Sequence, residues 1–193
     1  MLGVAVAAVG TFVFLNFYGA PSEAWLLRGG LDVSSGAFAN GTAIPAQYTC
    51  KGEDISPPLS WGGYPPSARS IAIIMEDPDA PSGTFAHWIL YNVRPGLGSV
   101  GSDQPDGGSI QGVGMQGTDD FGEVGYRGPC PPPGSVHHYR ITVFALNKVL
   151  NMSPGSTRAE LLRELMGHVV ASGTLVGTFG LPGNAAGPGG QQG

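Results

Sequence analysis

The stretch IAIIMEDPDAPSGTFAHWILYNV, residues 71–93, decides the fold. It reads as strand, acidic proline turn, strand. In the first arm Ile71, Ile73 and Met75 alternate with Ala72 and Ile74, so both faces are apolar, the pattern of a strand covered on both sides. The arm ends in carboxylates at Glu76 and Asp77. Pro78 and Pro81 lack an amide hydrogen and fix φ, which stops the ladder, and Ser82-Gly83 supplies the reversal. The second arm alternates His87, Ile89, Tyr91 and Val93 with Trp88, Leu90 and Asn92. A histidine therefore enters a strand close to two aspartates, Asp77 and Asp79.

The 193 residues around this stretch suffice for one well-buried domain. Only 12% are charged, against 33 glycines and 17 prolines, a balance that favours short strands and many turns over long surface helices. A mostly β protein is expected. The formal net charge of -5 comes from scattered acids, and the nine Lys and Arg form no cluster, which leaves no electrostatic footprint for nucleic acid. Cys50 and Cys130 fit neither a zinc site nor a CxxC redox pair. One disulfide in an exported protein and two free buried thiols are both open.

Residues 1–20 hold no charged side chain and include the run VAVAAVGTFVFLNFY, which reads as a membrane anchor or uncleaved signal segment, with a buried core helix as the alternative. An anchor or signal implies an exported, extracytoplasmic domain; without one the domain would be cytoplasmic. Residues 21–33 read as a linker and 34–180 as the folded domain. The Gly/Pro/Gln tail, 181–193, is too poor in apolar residues to fold.

After Val93 a Gly-rich region with little periodicity, residues 94–128, is expected to be a covering loop. Within it Gly112, Gly114 and Gly117 match the dinucleotide fingerprint GxGxxG. The match is rejected, because Thr118-Asp119-Asp120-Phe121-Gly122 follows where a helix must open. The second informative block, GYRGPCPPPGSVHHYRITVFALN at residues 125–147, has a stiff wall of prolines at 129, 131, 132 and 133. Its strand places His137, Tyr139, Ile141 and Val143 on one face. Thr157 and Glu160 form a capping box that opens a helix through Leu161, Leu162, Leu165, Val169 and Val170, ending before Gly173, and a last strand runs over 174–179.

Asp77, Asp79, His87, His137 and Tyr139 thus come from strand ends or adjacent loops. Two imidazoles and a phenol offer hydrogen-bond donors to an anion, and an aspartate beside a histidine fixes its tautomer or meets a ligand cation.

These motifs resemble the phosphatidylethanolamine-binding protein family, in its prokaryotic Raf-kinase-inhibitor-like branch. The resemblance rests on Asp77-Pro-Asp-Ala-Pro-Ser82 with His87-Trp88 and Asn92, and on Gly128-Pro-Cys-Pro-Pro132 with His137 and Tyr139. Tyr48-Thr-Cys50 with Ser56-Pro-Pro-Leu-Ser-Trp61, and Gly167-His168 leading to Gly177-Thr178, extend it. It implies an antiparallel β architecture with a large central sheet, a smaller sheet and few short helices. It also implies a small anion pocket contacted by Asp77, His87, His137 and Tyr139 and flanked by Asp79, Trp88, Pro129 and Pro131. The chain departs from the usual prokaryotic pattern in having His138 where Arg is common, and kinase inhibition does not carry over.

The function expected is non-enzymatic binding of phosphorylated small molecules, phospholipid headgroups or phosphorylated groups. No cofactor is called for, and the chain contains no nucleophile elbow, Walker loop or HExxH pattern. A protein-interaction role such as protease inhibition through surface loops is the alternative. Behind it stands hydrolysis with Asp77, His87 and His137 around a metal. The partners expected are a phosphate-bearing small molecule or headgroup, with a protease-like or kinase-like protein and a homodimer left open.

Overall fold

The computed structural model describes residues 28–182. The expected anchor at residues 1–20, most of the linker and nearly all of the tail lie outside the described residues. Among those described, no helix is long and apolar enough to cross a membrane.

The protein is mostly β, with two sheets and one α-helix among the described residues. The strands are β1 (Asp32–Ser34), β2 (Thr42–Ala43), β3 (Leu59–Gly62), β4 (Ser70–Asp77), β5 (Phe85–Val93), β6 (Ser99–Val100), β7 (Ser109–Ile110), β8 (Gly114–Gln116), β9 (Val136–Leu146) and β10 (Val169–Gly180); α1 spans Arg158–Leu165. The large sheet has the order β2-β10-β9-β4-β5-β8-β7 and the small one β1-β3-β6. The pairings between these strands are antiparallel except that of β2 with β10, where Thr42 and Ala43 lie parallel beside Gly177 and Thr178.

The doubly apolar pattern of residues 71–77 has its cause in this arrangement. β4 lies at the centre of the large sheet and every residue in it is buried. Ile71, Ile73 and Met75 pack with Leu59, Trp61 and Val100 of the small sheet, whereas Ala72 and Ile74 pack with Leu161 and Leu165 of α1. Even the carboxylate of Glu76 is buried, and it accepts from Arg140 Nη2 at 2.8 Å and Arg158 Nε at 2.6 Å. Removing a buried carboxylate from water is tolerated because two guanidinium groups meet it.

Strict alternation fails in β5, and two bulges explain why. Trp88 pairs with Met75 and Ala86 with Glu76, so His87 is an extra residue; Leu90 pairs with Ile73 and Val93 with Ile71, which leaves Tyr91 and Asn92 opposite Ala72 alone. His87 therefore does not share its environment with Ile89 and Tyr91, which pack beneath α1, and Val93 joins the opposite core. Asn92 takes a left-handed φ of 57°, and its side chain bonds both backbone groups of Leu150.

The helix is shorter and the last strand longer than the sequence pattern predicts. The capping box is present, with Thr157 N donating to Glu160 Oε2 at 2.8 Å. The helix ends at Leu165 because Gly167 turns left-handed at φ 75°, so the β-branched Val169 and Val170 open β10 instead. The rejected fingerprint at 112–117 is a hairpin turn, with Gly112 at φ 77°, leading into β8.

Candidate functional site

Where β4, β5 and β9 end together, a pocket of about 250 Å³ is lined by Asp77, His87, His137 and Tyr139, with Phe85, Phe121 and the Pro81 and Pro132 loops around them. Each polar residue arrives by a different local device. Asp77 is the last residue of β4, and its Oδ1 accepts the Asp79 amide at 2.9 Å, so the proline turn begins as an Asx turn that aims the carboxylate. His137 and Tyr139 are alternate residues of β9 on the face of the larger core. His87 reaches that face through its bulge, and its ring meets Tyr139 edge-on at 5.3 Å between centroids.

Both imidazoles are tied at Nδ1. His137 Nδ1 donates to Asp77 Oδ2 at 2.7 Å, and His87 Nδ1 donates to the carbonyl of Arg127 at 2.8 Å, whose own amide donates back to the carbonyl of His87. A carbonyl can only accept, so His87 is fixed as the Nδ1–H form and its Nε2 is the polar atom left for the pocket. The Asp77 partner leaves the same atom of His137 free. Burial lowers the His87 pKa, against the opposing pull of the Arg127 carbonyl and the Asp77 charge, so its ring is neutral at neutral pH. The Tyr139 hydroxyl is fully buried and has no hydrogen-bond partner among the described residues. Asp77 and the backbone at Cys130 lie near enough to bias its ionisation, yet neither meets it in hydrogen-bonding geometry. Burial, and then the Asp77 charge, push its pKa far up, so it remains a phenol with a proton to give.

The proline wall stands opposite. Cys50 and Cys130 form a disulfide with Cα atoms 5.5 Å apart, which resolves the two cysteine alternatives in favour of the bridge. It is reinforced by Cys50 N donating to Pro129 O and by Tyr126 Oη donating to Tyr48 O at 2.6 Å. Gly128 is needed for the approach: a Cβ there would stand 2.5 Å from the Tyr48 carbonyl oxygen. Cys130 and Pro132 line the pocket, whereas Pro129 and Pro131 are buried behind it.

Of the eight residues singled out in the sequence, the structure brings Asp77, His87, His137 and Tyr139 to the pocket and places the other four around it. Trp88 is fully buried, its Nε1 donates to Gln116 Oε1 at 2.8 Å, and its ring meets Tyr126, so it props the wall from inside. Asp79 turns outward to the amide and Nδ1 of His138, both at 2.8 Å. The sequence reading missed Phe85 and Phe121. Phe85 was visible as the residue two before His87 on the same strand. Phe121 comes from a turn whose only signal was Asp119-Asp120 before Phe121-Gly122.

Residues 34–180 match the family model described as phosphatidylethanolamine-binding protein. The UPF0098 protein of Methanothermobacter thermautotrophicus is 42% identical over 149 residues, covering 77% of this chain and 98% of that protein. LppC of Mycobacterium tuberculosis, which carries a lipoprotein name, is 40% identical over 77% of this chain and 72% of its own length. The crystal structure of the phosphatidylethanolamine-binding protein homologue CT736 from Chlamydia trachomatis superposes with a TM-score of 0.70 at 38% identity, covering 78% of this chain and 97% of that one. Two packed sheets, a pocket at one end of the large sheet and a match across nearly the whole described domain make the chain a member of the phosphatidylethanolamine-binding protein family.

Proposed function

We propose that this protein binds phosphate-bearing ligands, without chemical turnover, in the pocket of Asp77, His87, His137 and Tyr139. The observation that carries the reading is the Tyr139 hydroxyl, a buried donor that meets no acceptor in hydrogen-bonding geometry among the described residues. Leaving such a group unpaired costs about 1–3 kcal/mol, and a ligand acceptor removes that cost. Phosphate oxygens accept from the Tyr139 hydroxyl, beside the His137 Nε2 that the bond to Asp77 leaves free. His87 Nε2 either carries a proton itself or accepts the hydrogen of a monoanionic phosphate; in both cases the complex holds a proton that a neutral imidazole and a dianion do not. Binding therefore strengthens as pH falls from about 8 towards 6, near the second phosphate pKa.

Asp77 is already engaged by His137 and by the Asp79 amide, which favours an orienting role over metal ligation. The disulfide suits an oxidising compartment, and together with the uncharged residues 1–20 and the lipoprotein name of LppC it supports an exported, membrane-anchored domain. Calorimetric titration with inorganic phosphate and phosphoethanolamine between about pH 6 and 8 tests the binding. Affinity is expected to rise as pH falls, and His137→Ala to weaken it by about 1.5–3 kcal/mol. A protein that takes up neither ligand at millimolar concentration is not a phosphate binder.

A further inference from the structure

The pocket has two layers of unlike chemistry. Its floor is polar, formed by Asp77, His87, His137 and Tyr139, whereas its rim is mostly apolar, formed by Phe85, Phe121, Pro81 and Pro132 with Ser82 as its polar member. Phe121 is the unusual member. It is 52% exposed, one of few large apolar side chains left in water, and it stands edge-on to Phe85 at 4.7 Å and to His87 at 5.5 Å.

An exposed phenyl on a wandering loop would mean little, but this turn is built to hold it. Asp119 Oδ1 accepts the amides of Phe121 and Glu123 at 2.9 and 2.8 Å, and Thr118 bridges to Val124 to close the turn. Gly122 takes a φ of 89° between them. Asp120 then clamps the turn to β5: its amide donates to Ala86 O at 3.0 Å, and its Oδ2 accepts the Ala86 amide at 2.7 Å. The clamp grips the residue next to His87, so the ring's position is fixed relative to the polar floor.

We propose that Phe121 is the specificity residue of the pocket and that, with Phe85, it selects phosphate monoesters carrying an apolar substituent over inorganic phosphate. The proposal rests on the phosphate reading above and adds to it the class of ester. A monoester keeps three terminal oxygens, which match the Tyr139 hydroxyl and the two imidazole Nε2 atoms, while its single substituent leaves past the phenyl rings. A diester keeps only two, so one floor group stays unpaired and a second substituent must be housed. Each methylene held against the rim is expected to tighten binding about fourfold at full burial, so two of them at partial burial give about tenfold.

Titrating the full chain with inorganic phosphate, butyl phosphate and dibutyl phosphate tests this. The wild type is expected to bind butyl phosphate about tenfold more tightly than inorganic phosphate and dibutyl phosphate more weakly than the monoester. In Phe121→Ala the ratio of butyl to inorganic phosphate should fall to about two, and Phe121→Leu, which restores apolar bulk, should recover part of it. If inorganic phosphate binds but the wild-type ratio is near one, or the ratio survives in both variants, Phe121 is not the selector and the phosphate site stands without it. A preference for the diester assigns the pocket to a lipid-type phosphate and overturns the monoester class. Failure of all three ligands to bind the wild type removes the phosphate reading itself.

Discussion

Two aspartate–histidine pairs join the end of β4 and its turn to the start of β9, and they are nearly equal in length. Asp77–His137 measures 2.7 Å and Asp79–His138 2.8 Å. Their surroundings differ: the side chains are 8% and 6% exposed in the first pair, with the histidine given first, and 61% and 41% in the second. Water around the outer pair weakens its attraction and competes for both partners, whereas the inner pair acts through poorly polarisable protein. The Asp79 carboxyl is held below its usual range first by the His138 backbone amide and then by the imidazole, so the outer aspartate serves mainly to cap the entry of β9. Equal distances thus serve two purposes, and burial decides which pair orients a site.

The largest effect should come from the wall that makes the inner pair inner. The Cys50–Cys130 bridge closes a loop with a sequence separation of 80, for which chain entropy gives about 4.5 kcal/mol of stabilisation. Reduction and alkylation should lower stability by several kcal/mol in denaturant titration. In the folded reduced protein, the His137 ring should exchange its Nδ1 hydrogen with solvent faster, approaching the rate of the exposed His138. Unchanged stability, or two histidines as distinct as before, would show that the pocket's protection does not depend on the bridge.

Next in size is the inner pair itself. Asp77→Ala strips a buried imidazole of its acceptor and the turn of its Asx bond, so a loss of about 3 kcal/mol is expected, where the ranges for charged hydrogen bonds and for broken buried pairs meet. Asp79→Ala should cost under about 1 kcal/mol. Urea midpoints of the two variants measured side by side settle it; equal losses would mean that burial does not rank these pairs.

Much of this contrast was legible in the sequence, and the part that was not has a physical cause. The apolar doubling of residues 71–75 marked a strand covered on both faces, and DPDAP marked its end, because both are local properties of the chain. Alternation also put His137 and Tyr139 together correctly. It failed in β5, because a bulge depends on how two strands fit and not on either strand alone, and one extra residue at His87 turned it away from Ile89 and into the pocket. Asp79 and Trp88 belong to the same motifs as Asp77 and His87, yet proximity in sequence did not bring them to the pocket lining. Phe121 lies 34 residues beyond His87 in a Gly-rich region, and only the hydrogen bonds between its turn and β5 reveal its neighbours.

His87 extends the comparison through pH. Burial lowers its folded pKa below the ordinary 6.5, so between those two values the unfolded chain binds more protons than the folded one, and stability falls as the solution is acidified. Its contribution is intact above about pH 6.5 and is lost progressively below it. His87→Asn removes the titrating group while keeping a donor for the Arg127 carbonyl, so its stability should fall less steeply with acid than that of the wild type. Identical slopes would place His87 in a better-solvated position than its burial indicates.

The smallest effect, and the finest test of the contrast, is the coupling within the outer pair. Asp79→Ala alone overstates it, since the carboxylate also accepts the His138 amide, a bond that survives replacement of the imidazole. A double-mutant cycle with His138→Ala cancels the amide contribution, because that bond is lost equally with and without the ring. What remains should be about 0.5 kcal/mol or less at low ionic strength. At about 1 M salt, where the screening length shrinks to about 3 Å, it should vanish. The same cycle on Asp77 and His137 should keep most of its coupling, because salt does not enter the space between two buried side chains. An outer coupling that survives high salt would mean that the exposed pair is also shielded from water, and the distinction between the two pairs would then lie in what they face and not in how deeply they are buried.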